Sequence, residues 1–184
     1  GKTPKPKQAL SIEQLADVLN QFVNIRNIKK SVLIGHSMGS QIVIDAASKR
    51  PELYRKIVMI GPTANKDERS IAKQSWRLIQ DTIREPPKLN MLIFKDYALM
   101  GPRRYLQTNK SMIRYATEQT LASIKVPVLI VSGSRDPISP KTWTDFLRKT
   151  NVNCQEKEVT GAPHVVQYVK PVELKKICQK FIDL

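Results

Sequence analysis

Apolar residues along the chain fall into two kinds of pattern. One has helical spacing: Ile12, Leu15, Ala16, Leu19, Phe22 and Val23 recur three and four residues apart, which predicts an amphipathic helix over residues 12–24. Its start is marked by S-I-E-Q, a capping box with Ser11 as N-cap and Gln14 reaching back. The other pattern is the short continuous run: Val32-Leu33-Ile34, Ile57-Val58-Met59-Ile60 and residues 126–131, with a more polar run over 153–159. Strands that read this way are usually covered on both faces, as in a parallel sheet. Helices are predicted between them over residues 41–50, ended by Pro51, and over 142–148. Pro171 suits the first position of a closing helix to Asp183, with Val172, Leu174, Ile177 and Ile182 directed inward.

Residues 63–120 change character. They hold no convincing strand and carry Arg69, Lys73, Arg77, Arg84, Arg103, Arg104, Lys110 and Arg114. Helices are predicted over 67–84 and 89–99, separated by Pro86-Pro87. A third runs from Gly101-Pro102 through Tyr115. Trp76, Leu92, Phe94, Tyr97, Tyr105 and Met112 give these helices apolar faces, so the stretch reads as a helical insertion rather than a linker. The alternation of strand, helix, strand, insertion, strand, helix, strand and helix argues for an α/β fold with a parallel sheet of about four strands. The predicted organisation is a core formed by residues 1–62 and 121–184, interrupted by a cap at 63–120.

Composition adds little to the fold and something to the partners. Over 184 residues, 41% are hydrophobic and 26% charged, values of a globular chain. The apolar runs are too short to span a bilayer, and no charged start leads into an apolar stretch with a cleavage site. Cys154 and Cys178 are too few for a disulfide scaffold and are expected as buried free thiols, so the predicted compartment is cytoplasmic. The 31 Lys+Arg against 16 Asp+Glu give a net charge of +15. Such a surface suits an acidic carrier protein or an anionic surface. Nucleic acid is not expected: no docking motif is recognisable, and aromatics at 6% leave little for stacking on bases.

In an open parallel sheet, ligands lie beyond the C-terminal strand ends, so the residues just after each strand matter most. The first strand ends in Gly35-His36-Ser37-Met38-Gly39, the G-x-S-x-G pattern of a nucleophile elbow. Glycines two before and two after the serine relieve a tight strand-to-helix turn that lifts the hydroxyl off the sheet, and the next backbone N–H faces a forming oxyanion. A serine needs a base, and the base needs an orienting carboxylate. His36 lies inside the elbow and is expected to pack or hydrogen-bond there. His164, in Gly161-Ala162-Pro163-His164, follows the last strand, and Asp136, in Gly133-Ser134-Arg135-Asp136-Pro137, follows the third. Alone, each reads as a loop residue; together they stand at three strand ends in the order Ser, Asp, His.

On these motifs the chain resembles the C-terminal two-thirds of an α/β-hydrolase-fold protein of the esterase type, from the helix after Ser11 to the final helix. The resemblance implies a Ser37–His164–Asp136 triad acting on a small-molecule carboxylic ester or thioester. It further implies the Met38 backbone N–H in the oxyanion hole and no metal or cofactor. The insertion resembles the family's cap, which makes Trp76, Leu92, Phe94, Tyr97 and Met100 candidate walls of an acyl pocket. A serine at the elbow departs from the family's dehalogenases, which carry an aspartate nucleophile there. Family members also carry four more strands before the approach helix and draw a second oxyanion donor from a loop among them. The chain is therefore expected to be part of a longer hydrolase, or to have its first strand edge covered by a second copy. A non-catalytic ligand-binding protein on the same fold is the competing expectation.

Overall fold

A computed structural model describes residues 6, 8–63 and 70–184, without the side chains of residues 71, 72, 74, 75, 84 and 92. Four strands, β1 (Ser31–His36), β2 (Tyr54–Ile60), β3 (Val128–Gly133) and β4 (Cys154–Val159), form one sheet in that spatial order, every pair parallel. The helices among the described residues are α1 (Ile12–Ile25), α2 (Met38–Lys49), α3 (Ile71–Arg84), α4 (Pro87–Met100), α5 (Pro102–Arg114), α6 (Thr117–Ala122), α7 (Lys141–Thr150), α8 (Val166–Val169) and α9 (Pro171–Asp183). The chain is therefore α/β, with α3 to α5 forming the helical insertion between β2 and β3.

Strand alternation divides the core into two layers. Leu33, Ile57, Met59, Val128 and Ile130 point to one face and pack against Ile12, Ala16 and Val23 of α1, Val43 and Ile44 of α2, and Trp143 and Leu147 of α7. Val58, Ile60, Leu129, Val131 and Val159 point to the other and meet Leu174, Cys178 and Phe181 of α9. The capping box closes as the sequence predicts: the Gln14 N–H donates to Ser11 Oγ at 3.3 Å and the Ser11 N–H to Gln14 Oε1 at 2.9 Å. Both cysteines are buried and free. No described helix is long and apolar enough to cross a membrane.

Several expectations are corrected. β1 is not covered on both faces: Ile34 shares its face with its register partner Val58 yet is 53% exposed, because α9 covers β2 to β4 and stops short of the edge. Val172, expected to point inward, is exposed in α9. α2 starts at Met38 rather than residue 41, since the elbow turn feeds it directly. β3 starts at Val128 rather than 126, and Pro127 contributes only its carbonyl, accepting from the Ile57 N–H at 3.0 Å. The short α6 and α8, of six and four residues, were not anticipated. Residues 67–69 of the helix predicted over 67–84 lie outside the described residues, as do 64–66 of the insertion and 1–5 and 7 of the lead-in.

Candidate active site

The elbow is built by a close approach of backbones. A side chain at Gly35 would put its Cβ 2.3 Å from the Gly39 carbonyl oxygen, so only glycine lets β1 pass α2 at this distance. The second elbow glycine has a different status: a Cβ at Gly39 meets nothing, which corrects the expectation that both glycines relieve collisions. Ser37 takes the strain of the turn, at φ 56° and ψ −123°, while its N–H donates to the Ile60 carbonyl at 2.9 Å. A non-glycine residue held in this region costs about 1–3 kcal/mol. Ser37 is also the N-cap of α2 but makes no side-chain capping bond, which leaves the hydroxyl uncommitted. The Met38 N–H is the first of α2 and has no acceptor within the helix.

Asp136 and His164 are brought together by the loops after β3 and β4. The Arg135 N–H donates to the Ala162 carbonyl at 3.0 Å, tying the two loops together. Asp136 Oδ1 accepts from the Ile138 and Ser139 N–H groups at 2.8 and 2.9 Å. Its Oδ2 lies 2.8 Å from His164 Nδ1. Burial opposes the charge on Asp136, but His164 and the two backbone donors outweigh it and hold the carboxyl below its usual range. For His164 the same balance runs the other way. Burial disfavours the imidazolium, yet Asp136, Asp81 and Glu85 leave its pKa above the ordinary value. A carboxylate facing Nδ1 requires the proton on that nitrogen, so Nε2 presents its lone pair; it is buried and has no partner.

Two neighbours hold the histidine. The His36 ring is 4.7 Å from the His164 ring, and its Nε2–H donates to the His164 carbonyl at 3.1 Å. Burial and the neighbouring His164 lower its pKa to about 4, so it is neutral at physiological pH. Gly61, at φ 53°, completes the seat: a Cβ there would lie 2.9 Å from the imidazole.

Ser37 and His164 line one cavity of about 650 Å³, roofed by the insertion. Of the expected pocket walls, Phe94 and Tyr97 line it, joined by Tyr105, whose ring lies tilted at 58° to that of Tyr97 with centroids 5.0 Å apart, and by Met112. Trp76 is 60% exposed, and neither it nor Met100 is among the lining residues; the Leu92 side chain lies outside those described. Sequence reasoning missed Asp81 and Glu85 of the α3 end, both buried in this cavity, and Thr63 just after β2. Asp81 Oδ1 accepts the His164 N–H at 3.2 Å. The only available signal was two carboxylates four residues apart in an otherwise basic segment. No group of residues with metal-ligand character occurs among the described residues.

The sequence model of the family described as alpha/beta hydrolase fold matches residues 1–102. A monoacylglycerol lipase of Homo sapiens is 24% identical over 99% of this chain and 64% of its own length. The 3-oxoadipate enol-lactonase 1 of Acinetobacter baylyi is 28% identical over 42% of this chain and 29% of its own. The chain thus spans less than two-thirds of these relatives. Among solved structures, a bromoperoxidase from Bacillus anthracis superposes with a TM-score of 0.83 at 15% identity, covering all of this chain and 78% of that one. A thermophilic esterase reaches 0.79 at 17% identity, covering all of this chain and 77% of its own. At these identities the structures establish the shared fold.

Proposed function

The chain belongs to the alpha/beta hydrolase fold family, and from that premise we propose that it is the catalytic part of a serine hydrolase cleaving a carboxylic ester or thioester. Ser37 Oγ attacks the acyl carbonyl while His164 Nε2 takes its proton. Asp136 keeps the imidazole in the required tautomer and stabilises the imidazolium. The Met38 N–H, at the positive end of α2, donates to the oxyanion. Collapse of the tetrahedral intermediate returns the proton from His164 to the departing alcohol or thiol and leaves an acyl-enzyme. A water, deprotonated by the same nitrogen, then releases the acid. In the family a second oxyanion donor comes from a loop upstream of the approach helix, and losing one such donor typically costs about 10²–10³ in rate.

The observation that carries this reading is the buried His164 Nε2: it lacks a partner, its other nitrogen is held 2.8 Å from Asp136, and it shares a cavity with the uncapped Ser37. A fluorophosphonate probe tests it. Labelling at Ser37, abolished in Ser37→Ala, supports the hydrolase; a folded protein that leaves Ser37 unlabelled overturns it in favour of a ligand-binding role. For the basic surface, an acidic carrier protein or anionic surface remains the partner proposed, with binding that falls steeply as salt rises.

A further inference from the structure

The cavity has the opposite electrostatic character to the chain. Net charge is +15, yet among its described lining residues there is no lysine or arginine, while Asp81, Glu85 and Asp96 are all present. Asp81 and Glu85 are only 1% and 8% exposed and stand one helical turn apart at the end of α3. Like charges at this spacing repel, and burial removes the water that would screen them. One oxygen of Asp81 is committed to the His164 N–H, the two carboxyl side chains hydrogen-bond to each other, and no described lysine or arginine partners either of them. A second, independent feature points to a ligand: Thr63 Oγ1 is buried, lines the same cavity and has no hydrogen-bond partner.

We propose that Asp81 and Glu85, with Thr63 lining the same cavity, form a subsite for an ammonium group carried by the substrate, so that the cavity accepts amine-bearing esters and disfavours acidic ones. This rests on reading the cavity as the ester site. The carboxyl pair supplies the negative charge, the Thr63 hydroxyl accepts an N–H, and the aromatic rings of Tyr97 and Tyr105 flank the space. The groups facing the pair are His164 and Asp136 from the core loops and Tyr97 from α4. Burial and the neighbouring Asp81 raise Glu85 to about 7, and burial likewise raises Asp81, so the pair takes up a proton, shared in the bond between the two side chains, as pH falls through neutrality. An arriving ammonium keeps its own protons, and the pair gives up its shared proton to the buffer. Affinity for the cation therefore grows as pH rises through neutrality.

Calorimetry with n-butylammonium and n-butanol separates charge from size and does not depend on turnover. The ammonium should bind about tenfold more tightly than the alcohol at pH 8. That preference should shrink at pH 6 and be lost in Glu85→Gln and Asp81→Asn, both of which keep the side-chain shape. Asp81→Asn also keeps an acceptor for the His164 N–H. Equal affinities for the two ligands, or a preference that survives in both variants, overturns the subsite. If one variant fails to fold by circular dichroism, the other decides; if both fail, a tenfold ammonium preference of the unmodified protein at pH 8 supports the subsite and equal affinities there overturn it. Ammonium preference in a protein that the fluorophosphonate leaves unlabelled would retire the hydrolase and keep the subsite; labelling without preference would do the reverse.

Discussion

The sheet core and the helical insertion are built on different terms. In the core, Ile57, Met59, Val128 and Ile130 are fully enclosed between α1, α2 and α7, and the chain has little freedom to place them otherwise. In the insertion, Ile79, Ile83, Met91, Phe94 and Leu99 stand exposed, and the described residues buried in α3 to α5 include the acid Asp81 along with the apolar Ile113. Rigid packing belongs to the core, and the core supplies Ser37, Asp136 and His164 from strand ends. The insertion contributes the roof, and it touches the chemistry through the bond from the His164 N–H to Asp81. On the proposed reaction, this division puts the reacting groups on strand ends and the selecting groups on the less enclosed helices, so that one can change while the other is kept.

The sharpest break in that division comes from the core side. Ser37→Ala should lower ester hydrolysis by about 10⁴-fold or more while leaving the melting transition in place, read as initial rates on a 4-nitrophenyl ester. Ile130→Ala deletes side-chain atoms in the middle of the closed layer, and urea denaturation should show a loss of about 2–5 kcal/mol. Gly61→Ala is a smaller backbone change with a catalytic readout. Its Cβ would sit 2.9 Å from the imidazole, so His164 must move, and a displacement of this kind costs on the order of 10² in rate. A Gly61→Ala protein with unaltered kcat would show that the histidine loop relaxes at no cost.

These positions differ in how far the sequence discloses them. The elbow was legible because its demand is local: strand, tight turn and helix occupy consecutive residues, and Gly35 is forced by a backbone contact four residues away. Asp136 and His164 were legible because parallel topology sends every strand end to the same rim. Gly61 was not, because its constraint comes from the His164 ring, far along the chain. Asp81 and Glu85 carry no local mark in the sequence that sets them apart, and only the closure of α3 over the cavity buries them. Ile34 misled for the opposite reason: an apolar run says what a strand could bury, while the reach of α9 decides what it does bury.

The pH profile probes the seam between the two regions. In the proposed reaction His164 is the base, which requires it neutral, and its neighbouring carboxylates raise its pKa, so the acid limb of kcat/KM should lie above pH 6.5. Glu85 from the insertion contributes to that rise together with Asp136 from the core. Asp81→Asn combined with Glu85→Gln removes the negative charge of the pair, destabilises the imidazolium and should move the limb to lower pH, a change that altered packing alone does not dictate. An unmoved limb would mean that water screens the insertion from the histidine.

The smallest effects expected are on the exposed face of the insertion, and they divide it internally. Ile83 is 80% exposed and is not among the cavity's lining residues; Phe94 is 62% exposed but is one of them. Truncating either to alanine removes little buried surface, so each should change unfolding free energy by no more than about 0.5 kcal/mol. Their kinetics should separate. Ile83→Ala should leave KM for a medium-chain acyl ester unchanged, whereas Phe94→Ala removes apolar surface that a bound chain would cover and should raise KM a few-fold with little change in kcat. If both variants behave alike, the exposed ring of Phe94 has no more part in holding the acyl chain than Ile83, and the pocket wall must be drawn from Tyr97, Tyr105 and Met112 deeper in the cavity.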